Sequence, residues 1–364
     1  MPRPGLDPAA VEGLLQWFAN EARDLPWRTD RSPYRVWISE IMLQQTQVET
    51  VIPYYQRFLQ AFPGVEELAA ADEDRLMALW AGLGYYSRAR NLQKAARQVV
   101  REHGGVFPEE PSTVRALPGF GDYTTAAVLS LSMGQDLAVL DGNVARVLAR
   151  VFLVEGSVKT GPVRKQLQAL ADAGLPTGRA GSYNEALMEL GARVCRPKPR
   201  CAECPLQPVC GAFREGCQEE FPSKNETRVR PCHPCVVLVV RNGKGQVLLH
   251  RREGKGLLGG LWELPSIRSL VKLDSNPATP AQLSSLLDQA RAGLPGAPVG
   301  AAGPERCLPV FRHHYSHFSI EVHPQEIERE VQELPADWRW VSVADRDGLG
   351  ISASDRRILE DQGA

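Results

Sequence analysis

The chain carries no surplus of either charge. Its 42 Lys+Arg against 43 Asp+Glu leave a formal charge of −1 over 364 residues, which excludes a protein that coats a polyanion by bulk electrostatics. Any grip on a phosphate backbone must be local. The purely apolar runs fall far short of the roughly 20 residues that a membrane helix needs, so no membrane association is expected. The first residues, MPRPGLDPAA, lack a charged start followed by an apolar core, and they read as lacking a secretory signal. Internal repeats and low-complexity tracts are missing as well. These absences point to a reducing cytoplasmic setting, where clustered cysteines are more often metal ligands or catalysts than disulfides.

What is present divides the chain. At 364 residues two or three domains are expected. Up to about residue 215, apolar residues recur at helical spacing, as in VEGLLQWFANEA and ALMELGARVC, and predict an all-α region. From Cys232 the texture changes. CVVLVVRNGKGQVLLHRRE is an apolar run, an Asn-Gly turn and a second apolar run, the pattern of a β-hairpin. Residues 215–234, rich in charge and proline, read as a linker, and PAQLSSLLDQARAGL reads as a later helix beside a loop of Gly, Pro and Ala. Two basic patches stand out. Arg88, Arg90, Lys94 and Arg97 lie in acid-free residues 75–101, and Arg196 and Lys198 lie in residues 193–200; a solvated helix face explains the first equally well.

The most informative stretch is 117–143, LPGFGDYTTAAVLSLSMGQDLAVLDGN. Pro118 fixes a turn, and Gly119 and Gly121 allow close backbone approach between two helices. A helix beginning at Asp122 turns the hairpin's free N–H groups into an anion site. Asp141 follows at the next helix start. A phosphate cradle ahead of a carboxylate suits chemistry at the sugar of a nucleic acid. Asp141 is also an adequate N-cap for VARVLARVF, although Asn143 could cap that helix equally well. Glu40, in PYRVWISEIMLQQTQ, has Val36, Trp37, Leu43 and Gln44 three or four residues away. On that side of a helix its pKa would rise and it would keep a proton; the alternative is a surface glutamate.

Cys195, Cys201, Cys204 and Cys210 form C-x5-C-x2-C-x5-C, a metal or cluster site for which iron–sulfur and zinc are both compatible. Arg196, Lys198 and Arg200 lie between the first two ligands, so a metal would hold a basic finger toward phosphates.

Seven motifs now stand in order: LPWR at 25–28, SEIMLQQTQV at 39–48, LWAGLGYYSRARNL at 79–92, LPGFGDYTTAA at 117–127, VLDGNVARVLAR at 139–150, YNEALMELG at 183–191 and the cysteine cluster. Together they resemble the A/G-specific adenine DNA glycosylases of the helix-hairpin-helix superfamily, which also contains endonuclease III. The family's usual first cysteine gap is one residue longer than Cys195 to Cys201. The resemblance implies a multidomain protein. An all-α helix-hairpin-helix glycosylase domain with an iron–sulfur module would occupy 1–214, its six-helix barrel spanning about 31–135 and its [4Fe-4S] module the N-terminal segment plus 136–214. A linker at 215–234 and an α/β Nudix-like domain at 235–364 would follow.

The resemblance also implies roles. Glu40 matches the general acid that protonates adenine at N7, and Asp141 matches the carboxylate that stabilises the oxocarbenium-like sugar. Asn143 matches the residue that positions Asp141. Tyr123 stands where endonuclease III-like enzymes carry a Schiff-base lysine; a phenol cannot form that imine, so base removal without efficient strand cutting is expected. Trp27, Arg28, Leu43 and Glu185 resemble the adenine pocket. Gln45, Tyr85 and Tyr86 resemble residues that fill or wedge the duplex during base flipping, and Thr46 and Leu83 resemble contacts to the opposite oxidised guanine. Core packing is the alternative for Trp27, Tyr85 and Tyr86.

In the C-terminal part, GLLGGLWELP at 256–265 is the piece most like a Nudix fold. A working Nudix hydrolase needs a following helix dense in glutamates, and 266–280 supplies only Asp274, so a recognition module is expected. HHYSHF at 313–318 resembles the family's FSH loop, with Ser316 and His317 as readers of 8-oxoguanine and Tyr315 in place of the family Phe. Cys217, Cys232, His233 and Cys235 pose a possible zinc clip in the linker, with free thiols beside a strand as the simpler account. The resemblance implies a cytoplasmic, nucleoid-associated monomer acting on double-stranded DNA with adenine opposite 8-oxoguanine or guanine. Its rivals are a bifunctional endonuclease III-like glycosylase/lyase and a non-catalytic lesion sensor.

Overall fold

The computed structural model describes residues 5–223, 230–254, 256–271, 273, 277–296, 305–331 and 333–361. The described residues of 1–70 and 90–226 form one compact unit, and those of 71–89 and 227–364 form another. Residues 71–89 thus lie within the helical stretch of the sequence and group with the second unit.

The first unit is helical, and proline opens several of its helices, where the missing N–H has no partner to lose. Asp7 caps α1 (Pro8–Glu21), accepting from the Ala10 amide at 2.8 Å. Next come α2 (Pro26–Thr29), α3 (Pro33–Leu43), α4 (Val48–Ala61) and α5 (Val65–Ala70). The second unit takes α6 (Glu73–Trp80), after which α7 (Ser87–His103), α8 (Pro111–Arg115) and α9 (Asp122–Met133) follow. The helices α10 (Gly142–Phe152), α11 (Gly161–Ala173), α12 (Ala180–Arg193) and α13 (Gly211–Glu215) complete the set.

Two of these helices are buried around their circumference. Val36 to Met42 of α3 and Thr124 to Ser130 of α9 are all inside, and the two helices pack on each other. Glu40 is therefore carried by a helix segment with no solvent face. By contrast α10 is amphipathic. Its stripe Val144, Val147, Leu148 and Val151 joins side chains of α1, α11 and α12 in one core. Fully burying one such side chain contributes about 1.5–3 kcal/mol, so this core fixes the Asp141 end of α10 against α12.

The second unit is a mixed sheet. Its strands are β1 (Cys232–Arg241), β2 (Val247–Arg251), β3 (Trp262–Glu263) and β4 (Ser266–Arg268), then β5 (Glu305–Cys307), β6 (Phe311–His314), β7 (Ser319–Glu328) and β8 (Trp338–Val341). The order is β3-β2-β1-β7-β5, with β4 pairing β1, β6 pairing β7 and β8 pairing β2. Among the described strands β1 and β7 form the parallel pair, in register from Cys232↔Ser319 to Arg241↔Glu328. Val237 and Val239 face a core shared with Ile358 and Leu359 of α15 (Ala353–Asp361). Val236, Leu238 and Val240 face a core shared with Leu286 and Ala290 of α14 (Pro280–Ala292). With both faces covered, an unbroken apolar run is what β1 requires. The predicted hairpin is present: Asn242 Oδ1 accepts from the amides of Lys244 and Gln246 between β1 and β2.

That strand corrects the zinc clip. CHPC lies inside β1, where residues three apart point to opposite faces. Cys235 joins the core with Val237 and Val239, and Cys232 projects the other way. His233 Nδ1 lies 3.2 Å from the Val271 carbonyl. Cys232 and Cys235 therefore cannot close on one ion, and the clip expected from them and Cys217 falls. The residues after GLLGGLWELP begin with β4, paired with β1; Asp274 lies outside the described residues.

Candidate active site

A cavity of about 760 Å³ opens in the first unit. Trp27, Arg28, Glu40, Leu43, Gln45, Thr46, Gly119, Gly121, Tyr123, Asp141, Asn143 and Glu185 all line it. Five of the seven motifs therefore meet on one space.

Its two carboxylates differ in their partners. Tyr123, one residue into α9, donates its hydroxyl to Glu40 Oε2 at 2.5 Å. Burial pushes the Glu40 carboxyl up to about 7; the Tyr123 bond and the Arg28 charge oppose this, while Asp141 and Glu185 reinforce it. Burial also raises Asp141, but its ionised form accepts from the Val144 amide at 2.7 Å and from Asn143 Nδ2 at 3.0 Å. Hydrogen bonds to a charged form favour that form. Burial thus favours the acid form of Glu40, while the bonds from Val144 and Asn143 favour the anion of Asp141. The same contacts make Asp141 the N-cap of α10, so capping and availability to the cavity coexist.

The hairpin sits beside them. Gly119 has φ of 84°, and a Cβ there would also lie 2.9 Å from Asn91 Cβ. Gly121 caps α9 without a side-chain acceptor, so the helix start presents backbone N–H groups. Gln45 projects at the rim, exposed and with φ of 62°.

A charged lattice builds the other wall. Glu185 and Glu189 lie one turn apart on α12. Arg28 donates to Glu189 Oε2 at 3.0 Å, to Glu185 Oε1 at 3.3 Å and to the Arg23 carbonyl at 2.8 Å. Arg23 grips both Glu189 oxygens, at 2.8 and 3.0 Å. Trp27 is buried edge-on to Tyr55.

Behind Asp141 a chain of polar contacts leads toward the cysteines. Arg146 donates to Asn143 Oδ1 at 2.9 Å, to the Gly191 carbonyl at 2.8 Å and to the Cys195 carbonyl at 2.8 Å. The thiols of Cys195, Cys201, Cys204 and Cys210 line one small cavity with Arg150. Among the described residues no three donor side chains are closed into a finished metal site. The donor set nevertheless fits a thiolate-bound cation. Burial pushes Cys204 up to about 12, neighbouring thiols add to it, and a bound cation would reverse that penalty. Buried Arg150 donates to the carbonyls of Arg196 and Pro197, at 2.6 and 2.9 Å, holding a loop on which Arg196, Lys198 and Arg200 are exposed.

In the second unit the candidates for wedging the duplex and for reading the opposite base separate. Leu83 and Tyr86 are buried, and the Tyr86 hydroxyl accepts from the Gly82 amide at 3.3 Å. Tyr85 is 44% exposed with φ of 48°, and its hydroxyl lies 2.6 Å from Ser316 Oγ. Ser316 and His317 are exposed on the turn between β6 and β7, closed by the Tyr315 amide donating to the Phe318 carbonyl at 2.9 Å.

Residues 38–172 match the HhH-GPD superfamily of base excision DNA repair proteins, and residues 236–361 match the NUDIX domain. The human adenine DNA glycosylase is 35% identical over 404 aligned residues, covering 95% of this chain and 72% of that protein. The chain belongs to the adenine DNA glycosylase family. The adenine DNA glycosylase of Buchnera aphidicola subsp. Schizaphis graminum (strain Sg) is 30% identical, covering 95% of this chain and 96% of its own length. The mouse adenine DNA glycosylase is 39% identical, and the match spans 59% of its length. Among solved structures, a thermostable thymine-DNA glycosylase matches 57% of this chain and 96% of its own, at 30% identity and a TM-score of 0.51. The protein is thus a base-excision-repair DNA glycosylase that removes adenine and binds DNA. No helix among the described residues is long and apolar enough to cross a membrane.

Sequence reasoning misses Arg23, Arg146 and Glu189. Two of the three carry a usable signal: Glu189 follows Glu185 by four residues and Arg146 follows Asn143 by three, spacings that share a helix face. Arg23 carries none, since its partner Glu189 is 166 positions away.

Proposed function

We propose that this adenine DNA glycosylase hydrolyses the N-glycosidic bond of adenine paired with 8-oxoguanine or guanine, without lyase action. The observation that carries the reading is the Tyr123 hydroxyl bonded to Glu40 in the cavity that Asp141 also lines. Protonated Glu40 donates to adenine N7, and the C1′–N9 bond breaks with its electron pair passing to the purine. The Asp141 carboxylate, oriented by Asn143, faces the positive charge that develops on the sugar. Water then adds at C1′ and returns a proton to Glu40. Tyr123 offers no amine, so C1′ is not trapped as an imine and the strand stays intact.

Arg28, Trp27, Leu43 and Glu185 form the adenine pocket in this reading. The hairpin amides at Gly119 and Gly121 hold backbone phosphate, and Gln45 and Tyr85 fill the space left by the flipped base. Ser316 and His317 read the opposite purine. Cys195, Cys201, Cys204 and Cys210 would hold one [4Fe-4S] cluster, which when bound supplies four thiolate cross-links to the loop bearing Arg196, Lys198 and Arg200.

The test is a duplex assay that separates base loss from strand scission. Adenine release with strand breaks appearing only after alkali is expected. Breaks that keep pace with adenine release, together with a borohydride-trapped protein–DNA adduct, would instead mark a lyase. No release at all would favour a lesion sensor. Iron and sulfide analysis of the same preparation checks the cluster; zinc in their place removes it.

A further inference from the structure

Arg28 and Arg31 both meet Glu185, and they meet it differently. The Arg28 side chain is 15% exposed, and each nitrogen of its guanidinium has an acceptor: Nε donates to Glu185 Oε1 at 3.3 Å, Nη1 to the Arg23 carbonyl at 2.8 Å and Nη2 to Glu189 Oε2 at 3.0 Å. The Arg31 side chain is 40% exposed, and its Nη2 stands 2.7 Å from Glu185 Oε2. That oxygen is closed off from solvent and accepts no aligned hydrogen bond. Among the described residues the Arg31 guanidinium has no second partner. Asp30, its neighbour in the chain, is already engaged at both oxygens, accepting from the Ser32 amide at 3.0 Å and pairing with Arg35 at 3.2 Å. A misaligned pair held through one nitrogen of a half-exposed arginine is weak. Arg31 is thus a replaceable partner on a buried acceptor.

Glu185 and Arg31 line the same cavity. A base that enters it leaves its sugar and phosphates outside, at the rim. Adenine joined to deoxyribose donates only through its 6-amino group, and Glu185 Oε2 is a buried acceptor in want of a donor. When that amino group replaces Arg31, the oxygen stays partnered and a cation on a long, solvent-facing stem is released beside the phosphates. A base without the amino group leaves Arg31 where it is, because withdrawing the guanidinium would strand a buried carboxylate oxygen.

We propose that Arg31 is a specificity-determining switch: the amino group of adenine takes its place on Glu185 Oε2, and the released guanidinium pairs with a backbone phosphate of the flipped nucleotide. Reading the base is thereby converted into a firmer hold on the strand. The proposal rests on the reading of Glu185 as a wall of the adenine pocket.

The experiment measures binding of the full-length chain, made non-cleaving by Glu40→Gln, across a salt series. One duplex carries adenine opposite 8-oxoguanine, and the other carries unsubstituted purine, which lacks the amino group, in place of the adenine. The log–log salt slope is expected to be steeper for adenine by about 0.9, the mark of one further phosphate neutralised. Arg31→Met keeps the apolar stem and removes the cation. It is expected to flatten the adenine slope to that of the purine duplex and to lower the adenine-to-purine affinity ratio by about three- to tenfold at low salt, with a thermal midpoint close to the parent's. Equal slopes on the two duplexes before Arg31 is changed overturn the proposal, as does a slope difference that survives Arg31→Met. Glu185→Gln separates the two levels. If it removes the preference for adenine while Arg31→Met leaves that preference unchanged, the switch alone fails. If Glu185→Gln keeps the preference, the pocket reading fails and the switch with it.

Discussion

Tyr123 donates its hydroxyl to Glu40 Oε2 across 2.5 Å, joining the first turn of α9 to the middle of α3. This bond favours ionised Glu40 and so works against the burial that keeps the acid protonated. Its removal has a signed consequence. In Tyr123→Phe, Glu40 titrates at higher pH than in the parent, and adenine excision slows by about tenfold as the carboxyl loses its fixed orientation. A pH–rate series on both proteins checks this; an alkaline limb that moves to lower pH contradicts it.

Burial of Glu40 also makes stability depend on pH. Its folded pKa, about 7, lies above the ordinary 4.5. The stabilisation is therefore fully present below the ordinary value and is lost as pH rises through about 7. Above that window Glu40→Gln is expected to be more stable than the parent by on the order of 2–3 kcal/mol. Below pH 4.5 the advantage disappears. Denaturant melts at about pH 5 and about pH 8 measure the difference, and equal midpoint shifts at both would refute it.

Gly191 brings α12 against the start of α10. A Cβ at this position would lie 2.6 Å from Asn143 Cβ, so Gly191→Ala must displace the residue that bonds Asp141 Oδ2 and accepts from Arg146. The expected result is a destabilisation of about 1–3 kcal/mol together with a loss of single-turnover rate larger than that of a control alanine elsewhere on α12. A rate equal to the parent's would show that Asn143 is not needed to orient Asp141.

Arg196, Lys198 and Arg200 project from a loop whose carbonyls Arg150 holds. Replacing all three with alanine should weaken DNA binding similarly for any sequence and flatten the log–log salt dependence by about 0.9 for each phosphate that the loop no longer neutralises. Titrations between low and moderate salt give the slope. An unchanged slope means the loop does not touch the backbone.

Much of this site is legible in the residues themselves. Pro118, Gly119 and Gly121 locate a turn by backbone chemistry alone, and α9 does begin at Asp122. The apolar neighbours of Glu40 foretell its burial, because on a helix they must share its side. The β1–β2 turn follows from Asn242 in the same way. Relationships that depend on long-range packing are beyond such reasoning. Arg23 meets Glu189 across 166 positions. Residues 71–89 group with the second unit because Trp262 donates to Asp74 at 3.1 Å and Gly350 packs against Met77. CHPC has a ligand-like spacing, yet strand parity, invisible until the strand's start is known, sends Cys232 and Cys235 to opposite faces.

The pH dependence of single-turnover adenine release from an adenine:8-oxoguanine duplex tests the central claim most directly. With Glu40 as the proton donor, the rate holds on the acid side and falls about tenfold per pH unit above about 7. Glu40→Gln should lose that limb along with about 10²- to 10⁴-fold of the rate. A limb that persists in Glu40→Gln, with excision near the parent's rate, would contradict the account.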